Sequence, residues 1–238
     1  MDTGFTTEYL MKHSNLPGPR GNLELLNQFI HEASPQEIQT CLSFYSEELT
    51  NSPEEFVAMC GTSASIYHSL CQRASIEADV SVHVNSADWR IREGICIGLQ
   101  NAAQTLGTAV IMDKINPWAS GTPYEMRAVA ATLCEPALLK EEAIAAKTLA
   151  VLRLITETFF YREDKLTEAE ITLRKTLGYG WSVAIVALPE SGKQQFESLL
   201  DVSGKHIKWI VKENLKKNRL VKMDAKWVES LSRRLDKK

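Results

Sequence analysis

The chain has 238 residues, of which 44% are apolar, 24% charged and 8% aromatic, a composition typical of a folded soluble protein. Its formal net charge is −3, composed of +8 for residues 205–238 and −11 for the remainder. The basic end indicates either a binding surface for a polyanion, an acidic protein or a second copy of the chain, or a basic helix that is merely solvated. No apolar run approaches the roughly 20 residues that span a bilayer, and residues 1–12 lack an apolar stretch of signal-peptide length. These features exclude a membrane-spanning chain and predict a cytoplasmic protein.

Helix-start signals occur along the chain. Ser34, Ser52 and Thr122 each precede a proline and stand three residues before a glutamate, and Thr167 repeats this capping box without the proline. The predicted helices cover residues 22–32, 35–49, 54–72, 75–85, 88–105, 107–115, 123–134, 140–160, 168–187, 190–201, 204–219 and 224–235. Only residues 80–84 alternate like a strand, and because a lone alternation has no partner strand, we predict a short helix or turn there.

One local pattern occurs four times. An apolar residue precedes a base at Arg92, Arg127, Arg174 and Lys208, and a small or apolar residue follows each base three positions later. The bases are separated by 35, 47 and 34 residues, a period that indicates stacked two-helix repeats. Such repeats bury their apolar faces on their neighbours and form a curved solenoid with a concave surface. The sequence predicts an all-α, right-handed solenoid.

The predicted solenoid forms one domain. No linker rich in glycine or serine interrupts residues 22–238, whereas residues 1–21, with the segment Leu16-Pro-Gly-Pro, form a predicted N-terminal extension.

Residues 86–95 resemble the second helix of a HEAT-type repeat, in which Asp88 and Arg92 take the places of the turn acid and the base that hold adjacent repeats together. Three further segments resemble the same unit: residues 122–133, 170–181 and 205–215. Longer segments resemble a group of bacterial HEAT-repeat proteins without an assigned activity: residues 16–25, 173–182 and 209–227. This resemblance covers nearly the whole chain and implies a HEAT-like solenoid, but it implies no particular function.

Trp89, Glu93 and Arg127 are distantly similar to catalytic residues of the HEAT-like alkylpurine DNA glycosylases. That family lines a basic concave cleft with an aromatic side chain, a carboxylate four residues later and an arginine from the next repeat. The spacing of Trp89 and Glu93 places both on one helix face. The resemblance implies that the carboxylate would stabilise a developing sugar cation and that aromatic faces would contact the alkylated base. This chain departs from the family in having Glu93 where the family has aspartate.

A structural interpretation of the same residues stays open. In it, Trp89 packs between repeats, Arg92 and Arg127 bridge to turn carboxylates, and Glu93 faces solvent.

The segment 178–181 also has two interpretations, because it places two glycines inside a helix, where each costs about 1 kcal/mol relative to alanine. They indicate either a close helix crossing or a close ligand. The two aromatic candidates, for the surface or the core, are Tyr179 and Trp181.

The basic C-terminal region contains a second candidate site. Five bases spaced by 3, 4, 4 and 3 residues form one stripe on the predicted helix 204–219: Lys205, Lys208, Lys212, Lys216 and Arg219. Such a stripe is either a track for nucleic acid or another anion or a solvated outer face.

The remaining residues offer no metal or cofactor motif. The five cysteines are scattered and never spaced as CxxC, so we expect buried, reduced thiols. The histidines lack paired-ligand spacing, and no cofactor fingerprint occurs, so we predict neither a metal nor a cofactor. The leading hypothesis is a non-catalytic scaffold that presents a concave groove to a protein or nucleic acid. The alternative is a DNA-binding protein or a glycosylase that acts on alkylated bases.

Overall fold

The computed structural model describes residues 4–71, 82–202 and 204–236, and every regular element in these ranges is a helix. The all-α prediction is therefore confirmed for the described residues. The α-helices are α1 Thr7–Lys12, α2 Leu23–Glu32, α3 Pro35–Leu42, α4 Pro53–Cys71, α5 Trp89–Leu106, α6 Thr108–Ile115, α7 Pro123–Leu133, α8 Glu142–Glu157, α9 Glu168–Ala187, α10 Pro189–Ser198, α11 Lys205–Leu215 and α12 Asn218–Asp236. Short 3₁₀ helices cover Asn116–Ser120, Pro136–Leu138 and Leu199–Asp201.

The predicted helix 75–85 lies mostly outside the described residues, although residues 82–84 are helical. Within the described ranges, none of the helices combines the length and the apolar character needed to cross a membrane.

The chain forms two compact units, Met1–Lys114 and Ile115–Lys238. The first unit contains six Lys and Arg against fourteen Asp and Glu, a net charge of −8, and the second contains 21 against 16, a net charge of +5. The prediction of a single domain over residues 22–238 stays a prediction.

The N-terminal segment is part of the core of the first unit. Phe5, Leu10 and Leu16 are buried in this core, and the ring of Phe5 lies 5.3 Å from that of Phe29 in an edge-to-face arrangement. Thr6 caps α1 by accepting a hydrogen bond from the backbone of Tyr9. Residues 4–21, which belong to the predicted extension 1–21, therefore contribute a short helix and three apolar side chains to the core.

Glycines allow α4 and α5 to cross closely in the first unit. A Cβ atom on Gly98 would stand 2.4 Å from the carbonyl oxygen of Ser63 and 2.4 Å from a methyl carbon of Ile66. A Cβ atom on Gly94 would stand 2.6 Å from the Ser63 hydroxyl. Both distances are far shorter than van der Waals contact, so the crossing depends on the absence of a side chain at these positions.

The contacts between α4 and α5 follow a constant register. Three pairs in contact are each separated by 35 residues: Glu55–Arg90, Met59–Gly94 and Ser63–Gly98. Because the contacts advance in the same direction along both helices, α4 and α5 run parallel.

Helix α9 packs at the centre of the second unit. Trp181 is fully buried, donates a hydrogen bond of 3.0 Å from Nε1 to the Thr156 hydroxyl of α8, and packs against Phe196 of α10. The backbone N–H of Ser182 donates to the Asn214 side chain of α11 at 2.9 Å. Two contacts between α9 and α11 are again separated by 35 residues: Arg174–Trp209 and Gly178–Glu213.

The glycine pair of α9 serves helix packing. A Cβ atom on Gly178 would stand 2.9 Å from the Trp209 ring, and one on Gly180 would stand 3.0 Å from the Cys134 sulfur. Of the two sequence interpretations, the structure therefore supports a close helix crossing.

Three of the four predicted capping boxes form completely, at Ser34, Thr122 and Thr167. At the fourth, the Glu55 N–H donates to Ser52 Oγ at 3.4 Å, but the Glu55 carboxylate accepts a hydrogen bond from Arg90. The Ser52 cap thus begins α4 as the sequence predicts, whereas the Glu55 carboxylate binds Arg90 and does not complete the capping box.

Three predicted helices are clearly longer than the observed ones, namely those for 35–49, 140–160 and 204–219, and the second of these spans only Glu142–Glu157. The helix predicted for 35–49 ends at Leu42, where the Ser43 hydroxyl donates to the Thr40 carbonyl at 2.6 Å. The helix predicted for 204–219 ends at Leu215, and α12 begins at Asn218. On one continuous helix, residues 215 and 220 would lie about 140° apart around the axis, whereas the break allows both leucines to be buried.

Candidate functional site

The N-terminus of α5 places an aromatic side chain at the surface of the first unit. Asp88 caps α5 by accepting a hydrogen bond of 2.7 Å from the backbone of Arg90. Trp89, the first residue of the helix, is 52% exposed although it is the largest apolar side chain in this part of the chain. An exposed tryptophan is informative because such side chains are normally buried or used in binding.

Trp89 lines a groove with a volume of about 270 Å³, the Trp89 groove. Glu93 and Ile97 follow Trp89 at intervals of four residues and line the same groove from α5. Its other lining side chains include Met59 of α4, together with residues from the segment before α2 and its first turn: Pro19, Arg20 and Leu23. The groove is therefore mainly apolar and contains one carboxylate, Glu93, and two guanidinium groups, those of Arg20 and Arg90.

A buried arginine fixes the position of Trp89. Arg90 is 4% exposed, and its Nη1 donates to Glu55 Oε2 at 2.9 Å. Its Nη2 donates to the Gly18 carbonyl at 2.7 Å and to Asn51 Oδ1 at 3.0 Å. The guanidinium carbon lies 4.5 Å from the centroid of the Trp89 ring, within the range of a cation–π interaction. Arg90 thus joins α4, α5 and two loops beneath the ring.

The partner of Arg90 is a carboxyl group with altered acidity. Glu55 is 2% exposed. Burial raises the pKa of Glu55 from its ordinary value of 4.5 to about 7, the Asp88 carboxylate acts in the same direction, and the charge of Arg90 opposes both. The ion pair beneath the groove can therefore change its charge near neutral pH.

Two of the predicted catalytic residues, Trp89 and Glu93, line the same groove of the first unit. Arg127 is a half-buried residue of α7 in the second unit. The structural interpretation that Trp89 packs between repeats is wrong, because half of its surface is exposed. Glu93 is half-buried, not directed wholly to solvent. Arg92 is buried and donates to the carbonyl oxygens of Ser86 and Ala87, the latter at 2.7 Å.

The predicted basic stripe does not lie on one helix. Lys205, Lys208 and Lys212 are exposed on α11, but Lys216 caps the C-terminus of that helix and Arg219 belongs to α12. The prediction of a continuous helical stripe is wrong because the chain turns after Leu215. Lys205 Nζ donates to the backbone carbonyl oxygen of Glu163, and Lys216 pairs with the Glu213 carboxylate, which partly neutralises Lys216.

The two aromatic candidates of α9 differ in their environment. Trp181 is a core residue, since its ring is fully buried and its N–H is bonded to Thr156. Tyr179 is half-buried, and its carbonyl accepts a hydrogen bond of 2.6 Å from the Ser182 hydroxyl. Trp181 is therefore removed as a candidate for ligand contact.

The sequence interpretation missed Glu55 and Arg90, the pair that supports the groove. A signal was present, because these residues are 35 positions apart, the same interval that separates Arg92 from Arg127. The contribution of Arg20 and Leu23 had no comparable signal, since they stand roughly 70 positions before Trp89 in the chain.

The described residues contain no cluster of three or more histidine, cysteine or acidic side chains that could hold a metal ion. Four of the five cysteines are buried, and Cys71 is half-buried. Burial raises the pKa of the Cys41 and Cys134 thiols to about 12, so both are protonated and unreactive at neutral pH.

Comparison of the chain with models of protein families, with curated proteins and with solved structures gives no match. The geometry and charge of the Trp89 groove and of the basic helices are therefore the features from which a function can be inferred.

Proposed function

We propose that this chain is a non-catalytic binding protein made of HEAT-like helical repeats, and that the Trp89 groove receives a segment of a protein partner. The observation that carries this proposal is the exposed Trp89 ring above the buried Arg90. A large aromatic side chain that is already held in place loses little conformational freedom on binding. Such side chains dominate the affinity of many protein interfaces.

The repeat architecture is supported by the register of helix contacts. In both units, parallel helices meet through residues 35 positions apart, as in Glu55–Arg90 and Arg174–Trp209. A constant offset is expected where successive copies of one structural unit stack on each other. We propose that the helices of each unit form such a stack and that the solenoid predicted from the sequence arises from it.

The charge of the first unit favours a protein over a nucleic acid as the partner in the Trp89 groove. The unit has a net charge of −8, which repels phosphate, whereas nucleic-acid binding depends on phosphate neutralisation by Lys and Arg. The glycosylase alternative has the support that Trp89 and Glu93 share a groove, but it requires a DNA duplex on this acidic surface.

Selection of peptides on the intact chain tests the proposed function. We expect a randomised displayed library to yield peptides whose affinity falls by about 30-fold in Trp89→Ala, the effect of losing one dominant aromatic contact. Val110→Ala is the matched control, because Val110 is another exposed apolar side chain of the same unit and does not line the groove. Peptides that bind wild type and Trp89→Ala equally, or a selection that yields none, would overturn the proposal.

A nucleic-acid partner is the second candidate, on a different surface. The second unit has a net charge of +5 and exposes lysines on α11 and α12, among them Lys208, Lys212, Lys222 and Lys226. If they contact four or five phosphates, the log–log slope of DNA affinity against salt is expected to be about −3 to −5. The double variant Lys208→Glu with Lys212→Glu should make this salt slope flatter, and the absence of DNA binding at low salt would eliminate the nucleic-acid candidate.

The glycosylase alternative has its own assay. Release of an alkylated base from DNA by the wild type, lost in Glu93→Gln, would assign catalysis to the Trp89 groove.

A further inference from the structure

We infer that the Trp89 groove selects a basic side chain, lysine or arginine, of the bound segment. The inference rests on the proposed function and names the chemistry of its partner. It follows from the combination of an exposed aromatic ring, a carboxylate and apolar side chains in one groove on an acidic unit.

Trp89 and Glu93 together provide the groups that bind a cation. They stand one helical turn apart on α5 and line the same groove. The face of an indole ring attracts a cation through its quadrupole, and a carboxylate adds a charge-assisted hydrogen bond. The ring is stacked on Arg90 and is nevertheless 52% exposed, so ring surface is available to a second cation.

The apolar part of the groove fits the rest of a basic side chain. Leu23, Met59 and Ile97 line it beside Trp89. Lysine and arginine carry three or four methylene groups that pack on apolar surface while the charged end stays at a polar group. A groove of about 270 Å³ has room for one such side chain.

Glu93 and the net charge of the unit favour a cation in the groove, whereas Arg20 and Arg90 in its lining oppose one. The guanidinium of Arg90 is buried and donates to the Glu55 carboxylate at 2.9 Å, which offsets its charge. The unit as a whole has fourteen acids and six bases, and a field of this sign raises the local concentration of basic ligands. Arg20 is the exposed base in the groove lining. Its positive charge opposes the binding of a cation, so removing that charge is expected to raise the affinity for a basic side chain.

The experiment uses the peptides selected on the intact chain. We expect lysine or arginine to be enriched at one position, and replacement of that lysine by norleucine, which keeps the stem and removes the charge, to lower affinity about tenfold. Glu93→Gln should lower affinity for the lysine peptide by a similar factor and leave the norleucine peptide nearly unchanged. Arg20→Gln should raise affinity for the lysine peptide.

Glu48→Gln is the control for the general field. It removes one exposed acid of the same unit outside the groove, so its charge change equals that of Glu93→Gln, and we expect a change of less than about twofold. Trp89-dependent peptides without an enriched base would overturn the inference and leave the proposed function standing. Weaker binding in Arg20→Gln with tighter binding in Glu93→Gln would show a site for anions. A selection without any Trp89-dependent peptide would remove both proposals.

Discussion

Arg90→Met is expected to lower the free energy of unfolding by about 3–5 kcal/mol above pH 7, where the Glu55 carboxylate is ionised, since this is the usual cost of removing one partner from a buried ion pair. The change leaves the buried Glu55 carboxylate without its cation and removes the donors to Gly18 and Asn51. Urea denaturation of the full chain measures the loss. The double variant Arg90→Met with Glu55→Gln should lose less than the sum of the two single changes, because no charge is then left unpaired.

Arg233→Met is the matched control for the Arg90 prediction. Arg233 also pairs with a glutamate, Glu229, but both side chains are mostly exposed. Surface pairs of this kind contribute little to stability. A loss for Arg90→Met no larger than that for Arg233→Met would contradict the assignment of Arg90 as the group that joins α4 and α5 beneath the groove.

Gly98→Ala is expected to destabilise the first unit by about 1–3 kcal/mol, the usual cost of overpacking a close contact. The added methyl group would meet the Ser63 carbonyl oxygen at 2.4 Å, and backbone atoms cannot move aside as a flexible side chain can. The sign of the stability change tests the close crossing, because a glycine-to-alanine substitution in an exposed helix stabilises the protein by about 1 kcal/mol.

Gln104→Ala on the same helix is the comparison for Gly98→Ala, since Gln104 is exposed and surface changes usually stay within about 0.5 kcal/mol. Thermal and urea unfolding of both variants provide the measurement. A more stable Gly98→Ala protein would mean that α4 and α5 do not cross at the distance described.

Local signals in the sequence predicted most helix starts and most helix ends, but they misplaced the ends of α3, α8, α10 and α11 by three or more residues. A capping box involves four neighbouring residues, and the boxes at Ser34, Thr122 and Thr167 form as their sequences indicate. The end of α11 depends instead on burying both Leu215 and Leu220, which are brought inward by packing within the second unit. Burial of this kind is a property of the folded chain and leaves no local pattern.

The candidate site was predictable to the extent that it lies on one helix. The interval of four residues was enough to predict that Trp89 and Glu93 share a face, and both line the groove. Arg20 and Leu23 come from a distant segment, so their place in the groove requires the fold. Glu55 looked like an ordinary capping residue, and only its contact with Arg90 shows that it supports the site.

The buried carboxyl of Glu55 makes folding of the first unit a proton-uptake reaction. Its pKa is about 7 in the folded chain and 4.5 in its ordinary state, so between these values the folded chain retains a proton that the unfolded chain releases. The stability that this group contributes is complete below about pH 4.5 and is lost as the pH rises through about 7. Ionisation of Glu55 has the opposite effect on the groove, because it completes the ion pair with Arg90. Acidification therefore stabilises the fold while it weakens the electrostatic support of Trp89.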